Sequence, residues 1–416
     1  MKDKKVCELI DTYYPVVDGA INVVSHYTGL INQVVECKLA VPKAKKKQKY
    51  VDKEPFEVIR CAALPAPEGY RLAQPWADGK FRKKMIANDF DLFHTHSPFS
   101  LGRYVVKLGR KYKIPVVATL HTLYHHDFLR ACHGNKLCVR IALNYILHVF
   151  KKADSVWTVS EKAKEYLRLY GYKGEIKVIR SGTDFTYPEN AESLVKRVND
   201  LHGLHDQKRV LTFVGRMAWY KNLKIILDGL KIVKDNGKDF KMVFVGGGFD
   251  LEEVKAYAEK VGVLDLCIFT GEIKDRELLQ GYYLRSDLKL FPSTFDTAGV
   301  VKIEAAAHKK ACLLVENSCS AEGVIDGDNG FLCKESAESL AERLLEIIDN
   351  DELLKKAGEN AYKTLYRTWG QAREEILGEY KKIIEEYKAK FTGKDLVKYQ
   401  KARVKAKKIA EKLNKR

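Results

Sequence analysis

The chain has 416 residues, which at roughly 100–200 residues per domain is room for two or three domains. Hydrophobic residues make up 46% and aromatics 10%, which excludes global disorder, because a disordered chain lacks the apolar surface that offsets ordering entropy. Lys and Arg number 73 against 55 Asp and Glu, yet 15 of the 18 excess charges fall in residues 43–49 and 388–416, so the charge reads as two local basic devices on a balanced body.

Short apolar runs alternate with helical stretches. KVCELID (5–11) precedes a helix from about Gly19 to Leu30. DLFHTH (91–96) precedes a basic helix from about Leu101 to Lys113, and PVVATLH (115–121) follows at once. SVWTVS (155–160) opens a helix at Glu161, and EIKVIRS (175–181) ends this half. The pattern then resets with RVLTFVG (209–215), KMVFVGG (241–247), LCIFTG (266–271), LKLFPS (288–293) and ACLLVE (311–316). Strands alternating with helices predict parallel sheets with crossovers, hence an α/β protein of two doubly wound domains facing across a cleft. The expected boundaries are 1–184 and 208–362, with 185–207 as a polar linker, 363–390 as helices packing back on the body, and 391–416 as a basic tail. In that tail Leu396, Tyr399, Ala402, Ala406, Ile409 and Leu413 recur every three or four residues, a thin apolar stripe on a basic helix.

No apolar run approaches the ~18–20 residues of a spanning helix, and the N-terminus has no signal-peptide core. Nine scattered Cys leave one over in any pairing, which predicts buried thiols in a reducing cytoplasm. His125, His126, Cys132, His133 and Cys138 cluster without CxxC spacing, so packing and substrate contacts are expected there rather than a metal.

The motifs that carry chemistry lie mainly in the second half. Gly215-Arg216 ends a strand, Lys221-Asn222 follows in GRMAWYKN, and FDTAGVVKIEAAA places Asp296 and Glu304 eight apart with Gly299-Val300 between. Together these residues resemble the retaining family 4 glycosyltransferases of the GT-B fold, whose marks are G-R-x4-K-N and an acid-x7-Glu pair. The family usually has Glu where this chain has Asp296. The resemblance implies a nucleotide-sugar donor whose diphosphate gains charge as the glycosidic bond breaks. Arg216 and Lys221 would meet that charge without a metal or other cofactor, aided by N–H groups of Gly299 and Val300 at a helix start. Glu304 would accept the ribose hydroxyls and Asp296 hydroxyls of the sugar. Taken singly, each residue also fits a solvated strand end or helix face.

YYPVVDGAINVV (13–24) is similar to the family's opening loop, with Gly19 near the donor phosphates; a plain turn would read the same. HTHSPFSLGR (94–103) and TLHTLYHHDF (119–128) resemble the branch that glucosylates diacylglycerol. By that resemblance His121 stands against the donor sugar, and His96 and Asp127 lie toward the acceptor; structural roles fit His96 and Asp127 as well. GGGFD (246–250) is equally a donor-side loop or a bare turn.

The expectation is an enzyme moving a hexose, glucose from UDP-glucose, with retention, to a membrane lipid such as diacylglycerol. GDP-mannose, UDP-N-acetylglucosamine or UDP-glucuronate as donor, and a soluble glycan as acceptor, remain open, as do a non-catalytic nucleotide-sugar-binding protein and a sugar-nucleotide epimerase. The basic segments, including the helix from Leu101 to Lys113, suit peripheral binding to an anionic membrane on its cytoplasmic face; a merely solubilising tail is the alternative. No nucleic-acid motif is recognised, so no nucleic-acid partner is expected.

Overall fold

A computed structural model describes residues 1, 3–14, 19–44, 51–66 and 71–414. Residues 45–49 of the first basic run, and 15–18 of the opening loop, lie outside the described residues. In chain order the elements are β1 (Lys5–Leu9), α1 (Gly19–Asn32), β2 (Glu36–Pro42), β3 (Val58–Cys61), β4 (Ala63–Pro65), β5 (Arg71–Ala73), α2 (Gly79–Ala87), β6 (Leu92–Thr95), α3 (Ser100–Tyr112), β7 (Val116–Leu120), α4 (Tyr124–Ala131), α5 (Lys136–Phe150), β8 (Ser155–Thr158), α6 (Glu161–Leu169) and β9 (Lys177–Val178). There follow α7 (Ala191–His202), β10 (Val210–Val214), α8 (Leu223–Asp235), β11 (Lys241–Val245), α9 (Leu251–Lys260), β12 (Cys267–Gly271), α10 (Arg276–Arg285), β13 (Leu288–Phe291), α11 (Val300–Ala307), β14 (Cys312–Val315), β15 (Phe331–Cys333), α12 (Ala337–Ile347), α13 (Asp351–Thr364), α14 (Trp369–Ala389) and α15 (Gly393–Asn414).

The chain divides into two compact units, 1–180 with 369–416, and 181–368. The first holds a seven-stranded sheet in the order β3-β2-β1-β6-β7-β8-β9, every pair parallel. The second holds a six-stranded parallel sheet in the order β12-β11-β10-β13-β14-β15. Helices cover such sheets on both faces, so the strands read as continuous apolar runs: VVATL of β7, LKLF of β13 and CLLV of β14 are buried at every position. Phe213, Phe244, Phe291, Leu227 and Leu313 centre the core of the second unit; Leu9, Phe93, Leu101, Val105 and Phe150 that of the first. In each sheet the strand order reverses beside the first strand, between β1 and β6 and between β10 and β13. A switch point of this kind leaves a crevice at the carboxyl ends of the strands, where ligands of doubly wound sheets bind.

Two segments differ from the sequence reading. Residues 185–207, expected as a linker, contain α7, whose Leu194 and Val198 are buried. Close approach to α10 demands Gly281 there, because a Cβ on it would meet Leu194 O at 2.9 Å. The tail is a helix, α15, that packs on α2 and α3, where Ala406 of its stripe is buried and Ile409 partly so, with the adjacent Ala410 also buried, while Arg403 reaches Asp89 at 3.4 Å and Phe90 O at 3.2 Å. Lys398, Lys401, Lys405, Lys407, Lys408 and Lys412 stay exposed on its outer face. Among the described residues no helix is long and apolar enough to cross a membrane.

Candidate active site

In the second unit the predicted residues collect at the switch point. Gly215 and Arg216 follow β10, Lys221 closes a single helical turn at Trp219–Lys221, and Asp296 lies in the loop after the neighbouring strand β13. The Lys221 ammonium is held bidentately by Asp296, at 2.5 Å from Oδ1 and 2.6 Å from Oδ2. Two glycines make this arrangement possible. A Cβ on Gly246 would meet Gly215 O at 2.0 Å, and one on Gly248 would meet Met217 O at 2.2 Å, so the GGGFD loop is glycine-rich in order to lie against the GRM turn. Asp250 then accepts from Trp219 N at 2.9 Å and pins the turn that carries Lys221.

Gly299 caps α11 in the left-handed region, φ 55°, and a Cβ there would meet Ser320 Cα at 2.9 Å. The N–H groups of the first turn, Val300 onward, point out of that helix start, where they favour an anion. Glu304 lies one turn further along α11 and accepts from the Tyr283 hydroxyl. Burial raises the Glu304 carboxyl above its ordinary range. Beneath it, burial pushes Lys289 down to about 7; its Nζ has no hydrogen-bond partner among the described residues and sits 3.9 Å from the centre of the Tyr283 ring. His308 stacks on the same ring, places Nδ1 2.7 Å from Glu304 O, and is depressed to about 4, chiefly by burial.

Sequence reasoning passed over Tyr283, Lys289, His308 and Glu335. Glu335 accepts from Asn222 Nδ2 at 2.7 Å and Thr294 at 3.0 Å, tying the Lys221 turn to the loop of Asp296. A lysine inside the apolar run LKLF was the one signal available for this layer.

The first unit brings together a different set. Asp11, at the end of β1, accepts from Ser97 at 3.0 Å, Ser100 at 2.9 Å and Leu101 N at 2.9 Å, which caps α3 and fixes the HSPFS loop. His96 leaves the end of β6 and His121 the end of β7, and their rings meet, Nδ1 to Nε2, at 2.8 Å. His121 is partly exposed; His96, expected toward the acceptor, is 2% exposed, with Nε2 2.5 Å from Glu8. Burial, then the neighbouring His96, lowers the His121 pKa well below its ordinary value. Asp127 is half-exposed in the first turn of α4, 3.9 Å from Arg130. Gly19 opens α1, exposed, and a Cβ on it would touch nothing within 4 Å.

Glu8, His94 and His96 form the one group of described residues that could hold a metal ion, their ligand atoms lying within 4.8 Å of one another. Those atoms are engaged in hydrogen bonds with each other, Tyr380 and Thr119. The expectation of thiols throughout is corrected at one place. Cys132 and Cys138 form a disulfide, because left-handed residues His133 and Gly134 turn the chain between α4 and α5 and bring the two Cα atoms to 6.0 Å. The other seven form no disulfide and, Cys267 apart, are buried.

Residues 23–187 match the family described as glycosyltransferase family 4, and residues 195–364 the family described as glycosyl transferases group 1. The alpha-monoglucosyldiacylglycerol synthase of Streptococcus pneumoniae (strain ATCC BAA-255 / R6) is 29% identical over 306 residues, 71% of this chain and 68% of that protein. The enzyme of the same name from Acholeplasma laidlawii is 25% identical over 371 residues, 84% of this chain and 90% of that protein. Among solved structures, Anabaena Alr3699/HepE in complex with UDP and glucose superposes with a TM-score of 0.72 at 17% identity, covering 91% of this chain and all of that one. WaaG, a glycosyltransferase involved in lipopolysaccharide biosynthesis, gives 0.68 at 16% identity over 89% of this chain and 98% of its own. Two parallel Rossmann-like sheets, the switch-point residues and these matches place the chain among the family 4 glycosyltransferases, retaining hexosyltransferases of the GT-B fold.

Proposed function

We propose that the protein transfers glucose from UDP-glucose to a membrane lipid, with diacylglycerol as the acceptor class. The observation that carries the reading is the Lys221–Asp296 pair beside the α11 start, with Arg216 on the adjoining strand end. A diphosphate entering there competes for Lys221. Its charge is met by Lys221, Arg216 and the N–H groups of Gly299 and Val300, and Asp296 is released to accept sugar hydroxyls. Glu304, held by Tyr283, accepts from the ribose. By the family resemblance we assign Gly19 to the donor phosphates, His121 to the donor sugar and Asp127 to the acceptor. Leaving-group departure needs a positive charge, which two cations and a helix start provide, so transfer proceeds without a metal.

Two observations favour a lipid acceptor. The named relatives are synthases of a glucosyl lipid. In this chain α5 presents Leu137, Ile141 and Tyr145, 62%, 63% and 44% exposed and spaced by four along one face, with Lys136 and Arg140 exposed among them. An exposed apolar stripe with cations beside it suits the boundary between headgroups and acyl chains. The lysine face of α15 adds long-range attraction, at about 1 kcal/mol per cation near an anionic surface.

The test is incubation with a panel of UDP- and GDP-sugars in EDTA, with and without diacylglycerol vesicles, followed by analysis of the lipid fraction. A glycolipid from UDP-glucose is expected. Cleavage of a donor with label only in water-soluble glycan would replace the lipid by a soluble acceptor, and a glycolipid from another donor would replace the sugar.

A further inference from the structure

One strand of the second unit carries a charge where its neighbours carry none. In β13 (LKLF), Lys289 is in register with Thr212 of β10 on one side and Cys312 of β14 on the other, and it is 1% exposed. Its Nζ has no hydrogen-bond partner among the described residues. An ammonium so placed is costly unless a neighbouring charge offsets the water it has lost. What it meets is the face of the Tyr283 ring, 3.9 Å from the ring centre. The hydroxyl of that ring is donated to Glu304 Oε2. Cation, ring and carboxyl group thus form one series of contacts that ends at the predicted ribose acceptor.

Among the described groups around Lys289, one can carry the offsetting charge. Burial pushes the Tyr283 hydroxyl far up and the Cys312 thiol up to about 11, so both keep their protons at neutral pH. His308, stacked on the same ring with centres 5.1 Å apart, is held neutral, chiefly by burial. Glu304 remains. Arg276 also acts on Glu304, but its guanidinium is ion-paired with Asp184, whose charge opposes it. The buried ammonium therefore supplies the counter-charge of Glu304, whose carboxyl burial would otherwise drive to its neutral form. A cation over the ring also draws electron density from the phenol, which makes its O–H a stronger donor to the carboxylate.

We infer that Lys289 is a positioning residue for Glu304: through the Tyr283 ring and by its own charge it keeps the carboxylate ionised, and so sets the preference for a nucleotide whose ribose carries both hydroxyls. The inference rests on the reading of Glu304 as the ribose contact. In that place the ionisation decides the chemistry. A ribose diol brings two O–H donors, and a carboxylate accepts both. A carboxylic acid spends one oxygen as a donor and meets one of those hydroxyls donor to donor or not at all. A nucleotide without the diol makes neither contact and gains nothing from Lys289.

The test compares calorimetric binding of UDP and of 2′,3′-dideoxy-UDP to the full chain, to Lys289→Met and to Tyr283→Phe. Alongside it, the infrared signature of the Glu304 carboxyl is taken as the difference from Glu304→Gln in the same background. Both are run at pH 6, below the value of about 7 to which burial lowers Lys289, where the ammonium is still mostly charged. The unaltered chain is expected to show Glu304 as a carboxylate and to bind UDP about tenfold or more tightly than the dideoxy nucleotide. Lys289→Met removes a buried, unpaired charge and should fold at least as stably. It is expected to show Glu304 protonated and to bind the two nucleotides within about threefold of one another, with the dideoxy affinity unchanged. A lysine that only fills space would not move that ratio. Tyr283→Phe, which keeps the ring and loses the hydroxyl, should narrow the ratio in the same way. A full preference for UDP in folded Lys289→Met would overturn the inference. So would a protonated Glu304 in the unaltered chain, which is read whether or not the lysine variant folds. Equal binding of the two nucleotides by the unaltered chain would instead remove Glu304 from the ribose, a failure told apart because the infrared signature is read without nucleotide.

Discussion

Lys221 and Asp296 neutralise one another where a donor diphosphate is proposed to bind, so each is held in place before the ligand arrives. Lys221→Ala should lower kcat/KM by about 10²–10³-fold, by analogy with loss of one oxyanion donor, read with UDP-glucose and diacylglycerol vesicles; unchanged activity would remove Lys221 from the mechanism. His308 gives a second residue-level expectation. Its pKa falls from 6.5 to about 4 on folding, so between those values the unfolded chain binds the extra proton. Stability contributed by the neutral ring is complete above pH 6.5 and lost as pH falls toward 4, by as much as on the order of 3 kcal/mol for this fully buried residue. In His308→Phe, which keeps a ring against Tyr283, the fall in melting temperature between pH 6.5 and 4 should be shallower than in the unaltered chain. An identical slope would assign the acid loss to other groups.

At the scale of elements, the central strands were legible because a strand buried on both faces is a nearly continuous apolar run, as VVATL and CLLV are. Less was legible where a helix is built for a neighbour that sequence does not name. The tail stripe reads as lipid-facing in a linear chain; only the fold reveals that α2 and α3 already cover Ala406 and Ala410. The lipid-facing stripe proposed in its place belongs to α5, a stretch unremarkable beside the histidine motif that precedes it. Ile141→Asp should therefore weaken sedimentation with anionic vesicles several-fold while leaving donor cleavage in solution unchanged, and equal sedimentation would move the membrane contact elsewhere. Removing 391–416 should lower the melting temperature of the first unit, since it uncovers buried surface on α2 and α3; an unchanged value would make α15 a solvated appendage.

At the scale of the molecule, the motifs of the second unit lie within about 90 residues of sequence, from Gly215 to Glu304, and their order alone suggested the site. The network under His121 offered no such signal: its members come from β1, β6, β7 and α14, and Glu8 is 372 residues from Tyr380. Transfer is expected to persist in EDTA; loss of activity there, restored by a divalent ion, would turn attention to Glu8, His94 and His96 as ligands.

The interrupted path of the first unit has a consequence for biosynthesis. The stretch 181–368 is contiguous and emerges from the ribosome whole, whereas the unit around it stays incomplete until α14 has been made. Until then the Glu8 carboxylate lacks the Tyr380 hydroxyl, a buried acceptor without one of its donors. Nascent chains arrested before residue 369 should accordingly resist protease across the second unit while the first is still cut, and the loss of cutting sites on β1 and β6 would mark the moment α14 has joined the first unit.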